Sequence, residues 1–294
     1  MKSLLGTIRA PFLVLTPACV AVGVGTARWQ TGGTDWRNAA LVLAGALFAH
    51  VCVNAFNEYF DFRSGLDART TRTPFSGGSG ALPARPELGR ATLLLSCAAL
   101  LAVAAIGAYF VLQRGWMLVP LVAAGLLLLV TYTLWWVYNP LACLLAPGIG
   151  FGVLMVMGTH FSLTSTYTLP AFVASLVPTF LVSDLLLLNQ FPDVEADRMV
   201  GRRHFPITVG PRASSHIYGL FLLLSYLAII AGVAFGVLPV FCLLALLTVF
   251  LAIPAWLGAR RNAEDIPALV PSMGLNVIIT IATPTLLAAG LFIG

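Results

Sequence analysis

Nine uninterrupted apolar runs, at about 11–28, 37–60, 91–113, 116–134, 141–163, 169–191, 215–236, 238–259 and 267–292, make up most of this 294-residue chain. Each comes close to the roughly 20 residues that a helix needs to cross a bilayer. Lipid offers a backbone no hydrogen-bond partner, so such a chain must form helices or a closed barrel. The runs are continuous rather than alternating, which selects helices. Only 9% of the residues are charged, against roughly 25% in a soluble domain, too few to hydrate a surface. Length would allow two soluble domains, but the composition describes one membrane-embedded unit over residues 1–294. A soluble enzyme, a disordered chain and a nucleic-acid-binding module are excluded.

The basic residues set an orientation. With the N-terminus inside, only Arg28, Arg37 and Arg114 fall outside, while Lys2, Arg9 and the remaining arginines fall inside. That bias predicts nine spans in the cell membrane, a cytoplasmic N-terminus and an external C-terminus. Lys2 and Arg9 before an apolar stretch superficially resemble a signal peptide; Pro11 and the lack of a small-residue cleavage site predict a retained first span. The five cysteines all lie in apolar runs, without a CxxC or Cys/His cluster, so neither a disulfide framework nor a zinc site is indicated.

Two inside loops, about 61–90 and 192–214, carry most of the charge. The first contains Arg72-Thr-Pro-Phe-Ser-Gly-Gly-Ser-Gly80, whose glycines permit positive φ and exposed amides. Such a segment can form an anion-holding nest or serve as a flexible linker.

The spans that enter these loops end in similar polar clusters. One contains Asn54, Asn57, Asp61 and Asp67; the other contains Asn189, Asp193 and Asp197. Asn57 maps onto Asn189 and Asp61 onto Asp193 at a common offset of 132 residues (57 to 189, 61 to 193), an internal repeat of Asn-x-x-x-Asp. Residues four apart stack on one face of a helix. Asn54, Asn57 and Asp61 are therefore expected to share a face, as are Asn189, Asp193 and Asp197. Gly65 is placed to end the first helix and let Asp67 curl back. Clustered carboxylates need positive counter-charge, and Mg²⁺ is commonly held by one or two carboxylates together with substrate phosphates. A solvated charged loop would not explain an Asn one turn before an Asp in both halves.

These paired clusters resemble the aspartate-rich motifs of the UbiA superfamily of intramembrane prenyltransferases. Asn57-Glu-Tyr-Phe-Asp61 followed by Gly65-x-Asp67 looks most like the menaquinone-pathway branch, the 1,4-dihydroxy-2-naphthoate prenyltransferases. The resemblance implies an all-α membrane bundle of nine helices around a central cavity, capped by the two loops. It implies transfer of a prenyl group from a prenyl diphosphate to an aromatic, quinone-precursor-like acceptor, with Mg²⁺ bridging motif and diphosphate. Carried over by position, Asp61, Asp67, Asp193 and Asp197 are the catalytic and metal-binding aspartates, with Asn57 and Asn189 as further metal or substrate ligands and Tyr132 facing the diphosphate. A non-quinone acceptor, such as a tetrapyrrole or glyceryl lipid, is the alternative within the family. An ion-coupled transporter and a CDP-alcohol-type phosphotransferase are the rivals outside it.

Departure of pyrophosphate leaves an allylic carbocation, and cations that bind the growing negative charge lower the barrier. Arg72, Arg198, Arg202 and Arg203 are the candidates, because guanidinium forks match phosphate oxygens; facing lipid headgroups is the alternative role, and the better one for Arg63 and Arg69. Phe56, Tyr59, Phe60 and Tyr132 lie near the clusters and could line a cation or simply pack. Asp184 is an intramembrane carboxylate, costly and so a functional candidate, expected either to line the acceptor pocket or to pair with Ser183 or His160. His160 is expected to be a satisfied core residue, and His204 carries no assigned role.

Overall fold

A computed structural model describes residues 2–70 and 72–294. Among the described residues eight long helices and one shorter one follow one another: α1 (Ala10–Thr31), α2 (Trp36–Ser64), α3 (Pro86–Arg114), α4 (Trp116–Thr131), α5 (Pro140–Thr164), α6 (Leu169–Asn189), α7 (Pro211–Ala234), α8 (Val240–Arg261) and α9 (Ile266–Ile293). No strand occurs among the described residues. Eight of these helices are long and apolar enough to cross a membrane, and α4 is shorter. Pro140 disfavours helix at the residue before it, so Asn139 is extended and instead caps α5, accepting from the Ala142 amide. The chain between them folds into a turn in which Trp136 Nε1 donates to Thr131 Oγ1 at 2.7 Å.

Each helix packs on its successor, and α9 returns to α1, closing a ring. Of the eight long helices, α1 and α6 are the most buried and α3 the least. Leu101, Leu112, Phe235 and Phe250 project from the outer faces, as a lipid-facing surface requires. Small residues let the inner helices approach. A Cβ on Gly23 of α1 would lie 2.7 Å from the Val156 carbonyl of α5. A Cβ on Gly152 would lie 2.5 Å from the Thr179 amide of α6. Gly152 belongs to a π-helical turn, Gly150–Leu154, three residues after Pro147. Such insertions interrupt the regular ladder and re-aim side chains; here Phe151 and Leu154 line an interior cavity.

Buried polar groups in the bundle are mostly paired with one another, as an apolar surrounding demands. His160 is such a satisfied residue: Nδ1 lies 2.9 Å from Thr26 and Nε2 3.2 Å from Thr168. Asp184 differs from both expectations for it. It is fully buried, both of its oxygens and Ser183 Oγ lack partners, and it does not line the cavity. Its side chain sits behind the α6 wall, where its neighbours Val182, Leu185 and Leu186 face the cavity instead.

Candidate active site

A cavity of about 490 Å³ runs through the ring, walled by α1 to α6 and closed on one side by Val277 and Ile281 of α9. Its walls are apolar for most of their length. Polar residues gather at one end, where Arg9, Asn54, Asn57, Tyr132 and Asn189 line it. The four motif aspartates lie just beyond this end rather than on the cavity wall.

The first cluster is built as helical spacing predicts. α2 runs through Asn54, Asn57 and Asp61, and Gly65 ends it at φ 76, a left-handed conformation that costs glycine nothing. The chain then turns so that Asp67 is buried, with Oδ2 unpartnered. The second cluster departs from the expected continuous helix. α6 ends at Asn189, a turn carries Gln190 to Asp193, and a separate helix runs over Val194–Met199. Pro192 cannot donate a helical hydrogen bond, so Asn189, Asp193 and Asp197 do not share one helix face.

Arg202 joins the two clusters. Its guanidinium pairs with Asp61 through Nη2 and with Asp197 through Nη1, the latter at 3.0 Å. His204 Nε2 lies 2.9 Å from the other Asp197 oxygen. Burial opposes the Arg202 charge, but Asp61 and Asp197 outweigh it and hold its pKa above the ordinary value. Asp67 and Asp193 have no such partner. Burial, then the Glu58 and Asp61 carboxylates, push Asp67 up to about 7 against Arg9 and Arg72. Burial and Asp197 likewise push Asp193 up to about 7, opposed by Arg202, Arg9 and the Gly77 amide.

The other basic candidates are placed differently. Arg198 pairs with Glu195 at 3.0 Å, well exposed and away from the clusters. Arg203 is exposed, and its amide donates to Val137. Arg72 rests its guanidinium against Gly80, near Asp67. Phe56 and Phe60 pack with Cys52 and Ala99 and do not reach the cavity. Phe12, Phe75, Phe110 and Phe151 are its phenylalanines.

Arg9 and Glu58, which carried no role in the sequence reading, organise the mouth. Arg9 adopts φ 49 and ψ 53, a left-handed conformation costing a side chain about 1–2 kcal/mol. It is held there by Glu58 at 2.9 Å and by Asn57 Oδ1 at 3.2 Å, while Asn54 Nδ2 donates to the Ile8 carbonyl. Glu58 is fully buried and also accepts from the Ser79 amide at 2.7 Å and the Ser79 hydroxyl at 2.8 Å. The glycine-rich segment is thus an ordered flap. Thr73 Oγ1 accepts from the Phe75 and Ser76 amides, and Pro74 and Phe75 roof the cavity. The available signal was Arg9 at the very edge of the first span, which the positive-inside rule alone sufficed to explain.

The arrangement suits a divalent cation and a polyanion. Glu58, Asp61, Asp67, Asp193 and Asp197 face Arg9, Arg72 and Arg202, an excess of two negative charges when all are ionised. Asp67 Oδ2, Asn189 Oδ1 and Asp193 Oδ1 are buried acceptors without donors, the hard oxygen atoms that Mg²⁺ prefers. Among the described residues no three carboxylate, thiol or imidazole groups converge on one point. One or two carboxylates per ion, completed by water and phosphate, is the usual Mg²⁺ arrangement, so the donor set fits.

Residues 15–278 match the UbiA prenyltransferase family. The chain is 27% identical over 217 residues to the 1,4-dihydroxy-2-naphthoate octaprenyltransferase of Bacillus subtilis (strain 168), covering 72% of this chain and 67% of that one. Its fold is similar to the apo structure of a UbiA homolog from Aeropyrum pernix K1, with a TM-score of 0.71 at 19% identity over 96% of this chain and 97% of that one. It is also similar to a UbiA homolog from Archaeoglobus fulgidus bound to DMAPP and Mg²⁺, with a TM-score of 0.58 at 16% identity over 97% and 99% of the two chains.

Proposed function

The chain belongs to the UbiA prenyltransferase family, and from that premise we propose that it transfers a prenyl group from a prenyl diphosphate to an aromatic, quinone-precursor-like acceptor. One observation carries the reading: two acidic clusters, with unpartnered buried oxygens, meet at the polar mouth of a long apolar cavity. The cavity suits a hydrocarbon tail, and the mouth suits its diphosphate. The Bacillus relative acts, by its name, on a dihydroxynaphthoate, which supports the aromatic acceptor. In this reading residues 1–294 form a single multi-pass domain, and the loops at about 61–90 and 192–214 cap it on the cytoplasmic side.

Asp67 and Asp193, with Asn189 and Asn57 beside them, would hold Mg²⁺, and Asp61 and Asp197 complete the two motifs. The bound ion supplies charge that stabilises the departing diphosphate. Arg9, at the mouth, would present its guanidinium to the same oxygens, while Arg202, tied to Asp61 and Asp197, would hold the two motifs in place. As the allylic C–O bond breaks, its electron pair leaves with the diphosphate; the aromatic ring supplies the pair for the new C–C bond and then loses a proton, which the released diphosphate can accept. Pro74 and Phe75 of the flap keep water from the cation, which it would otherwise quench. Tyr132 lines the cavity at this end, where its π face can support positive charge.

The test is a product assay. Protein reconstituted in lipid is given radiolabelled prenyl diphosphate, Mg²⁺ and a panel of aromatic and glyceryl acceptors. A prenylated aromatic lipid is the expected product. Transfer to glyceryl phosphate alone would overturn the acceptor, and no transfer to any acceptor would overturn the reading.

A further inference from the structure

We propose that His50 recognises an oxygen atom of the acceptor, donating a hydrogen bond to it from Nε2 inside the cavity. The inference rests on the aromatic-acceptor reading and adds to it the residue that selects the substrate.

His50 lies on α2 one turn before Asn54 and two turns before Asn57. All three residues line the cavity, so His50 sits on the motif face but deeper, about 10 Å along the helix from Asn57. Its ring is fixed from two sides. Nδ1 is 2.8 Å from Thr16 Oγ1, and Phe151 meets the ring edge-on with centroids 4.7 Å apart. The Thr16 contact also assigns the tautomer. Thr16 is completely buried, and its hydroxyl has no other partner among the described residues. A buried hydroxyl proton must be satisfied, so Thr16 donates and Nδ1 accepts. A neutral imidazole with an accepting Nδ1 carries its proton on Nε2.

That Nε2–H is left without a protein acceptor. It makes no hydrogen bond with the described residues, yet it is not among the sealed unpartnered atoms, and the side chain faces the cavity. His160 shows the contrast, because both of its nitrogens are bonded within the bundle. A hydrocarbon tail lying over Nε2 would strand a donor, at a cost that a hydrogen-bonded oxygen avoids. The diphosphate oxygens belong with Arg9 and Asn57 at the mouth. The remaining substrate oxygens are those on the acceptor ring: a hydroxyl, a carbonyl or a carboxylate. A site that spends a fixed donor on one such oxygen discriminates strongly against analogues lacking it.

The test compares wild type, His50→Phe and His50→Gln, measuring KM and kcat separately for acceptor and for prenyl diphosphate. His50→Phe is expected to lower kcat/KM for the acceptor about tenfold or more while leaving the KM for prenyl diphosphate within about twofold. His50→Gln, which keeps an N–H donor, is expected to recover part of the loss. Wild type should discriminate against an acceptor that lacks one ring oxygen, and His50→Phe should treat the pair alike. Should His50→Phe fail to fold, His50→Gln and the analogue pair on wild type carry the comparison. Unchanged acceptor kinetics in the variants, or no discrimination by wild type against any oxygen-deleted analogue, would overturn the proposal while the transferase reading stands. A change confined to the prenyl diphosphate KM would also overturn it, by placing His50 against the tail. Absence of transfer to any aromatic acceptor by wild type would sink both.

Discussion

Arg202 reaches Asp61 across 141 residues of sequence, and the same guanidinium holds Asp197. One side chain from the second long loop therefore ties together the two acidic clusters that the repeat placed in separate halves. Arg202 is mostly buried, and a buried pair broken from one side leaves uncompensated charge.

Removing that charge should be felt first in the metal-free protein. Arg202→Gln is expected to lower its Tm by several degrees, with added Mg²⁺ restoring more of the loss than it adds to wild type. Arg202→Lys should recover part of the stability but little turnover, because an ammonium cannot engage two carboxylates as a planar fork does. Thermal unfolding in detergent with and without Mg²⁺ reads both effects. Equal Tm values for Arg202→Gln and wild type would show that the two clusters do not depend on the tie.

Chelation should abolish turnover reversibly, with activity restored by Mg²⁺ or Mn²⁺. Asp67→Asn and Asp193→Asn are each expected to lower kcat by at least a hundredfold and to weaken the Mg²⁺-induced rise in Tm. Asp35→Asn should leave turnover intact, since Asp35 is an exposed cap of α2 that accepts from the Asn38 amide. Full activity in excess chelator would rule out a metal requirement.

Gly125 offers a gauge of the tail. It lines the cavity, and a Cβ built on it meets nothing within 4 Å. Gly125→Leu is therefore expected to fold normally and to shift preference toward shorter prenyl diphosphates by tenfold or more, read as the ratio of kcat/KM across a chain-length series. An unaltered ratio would place the tail elsewhere.

Asp184 should be dispensable for chemistry. Its carboxyl is sealed behind the α6 wall without a partner, so Asp184→Asn should preserve turnover and both KM values, with Tm unchanged or raised. A selective rise in the acceptor KM would return Asp184 to the substrate pocket.

Orientation follows from single cysteines in a variant lacking the native five. Positions 85 and 212 should be labelled from the cytoplasmic face and position 37 from outside; all three residues are exposed. Labelling of positions 85 and 37 from one face would overturn the arrangement.

Sequence spacing served best where the backbone stayed helical. Along α2 the interval of three or four residues places His50, Asn54 and Asn57 on the cavity wall, with Asp61 just beyond, and Gly65 ends the helix as its missing Cβ permits. The same interval misled beyond Asn189, because Pro192 breaks the helix and the Asn-x-x-x-Asp repeat persists without a shared face. Charge type alone did not separate the arginines: Arg198 pairs with Glu195 at the surface, whereas Arg202 joins the two clusters. Arg9 and Glu58 escaped notice because their partners lie 49 residues apart, and no local pattern encodes that pairing.

What the sequence determined by itself is what lipid and helical period impose: apolar runs must satisfy their own backbones, so they become helices, and short intervals stack polar residues at their ends. Which of those polar residues meet was decided by tertiary structure alone. A charge buried at the mouth of a bundle needs a counter-charge within a few ångströms, and only the packing of nine helices fixes which guanidinium arrives there. Arg202 took the place between Asp61 and Asp197, Arg9 the one beside Glu58 and Asn57, and Asp67 and Asp193 were left with unpartnered oxygen atoms.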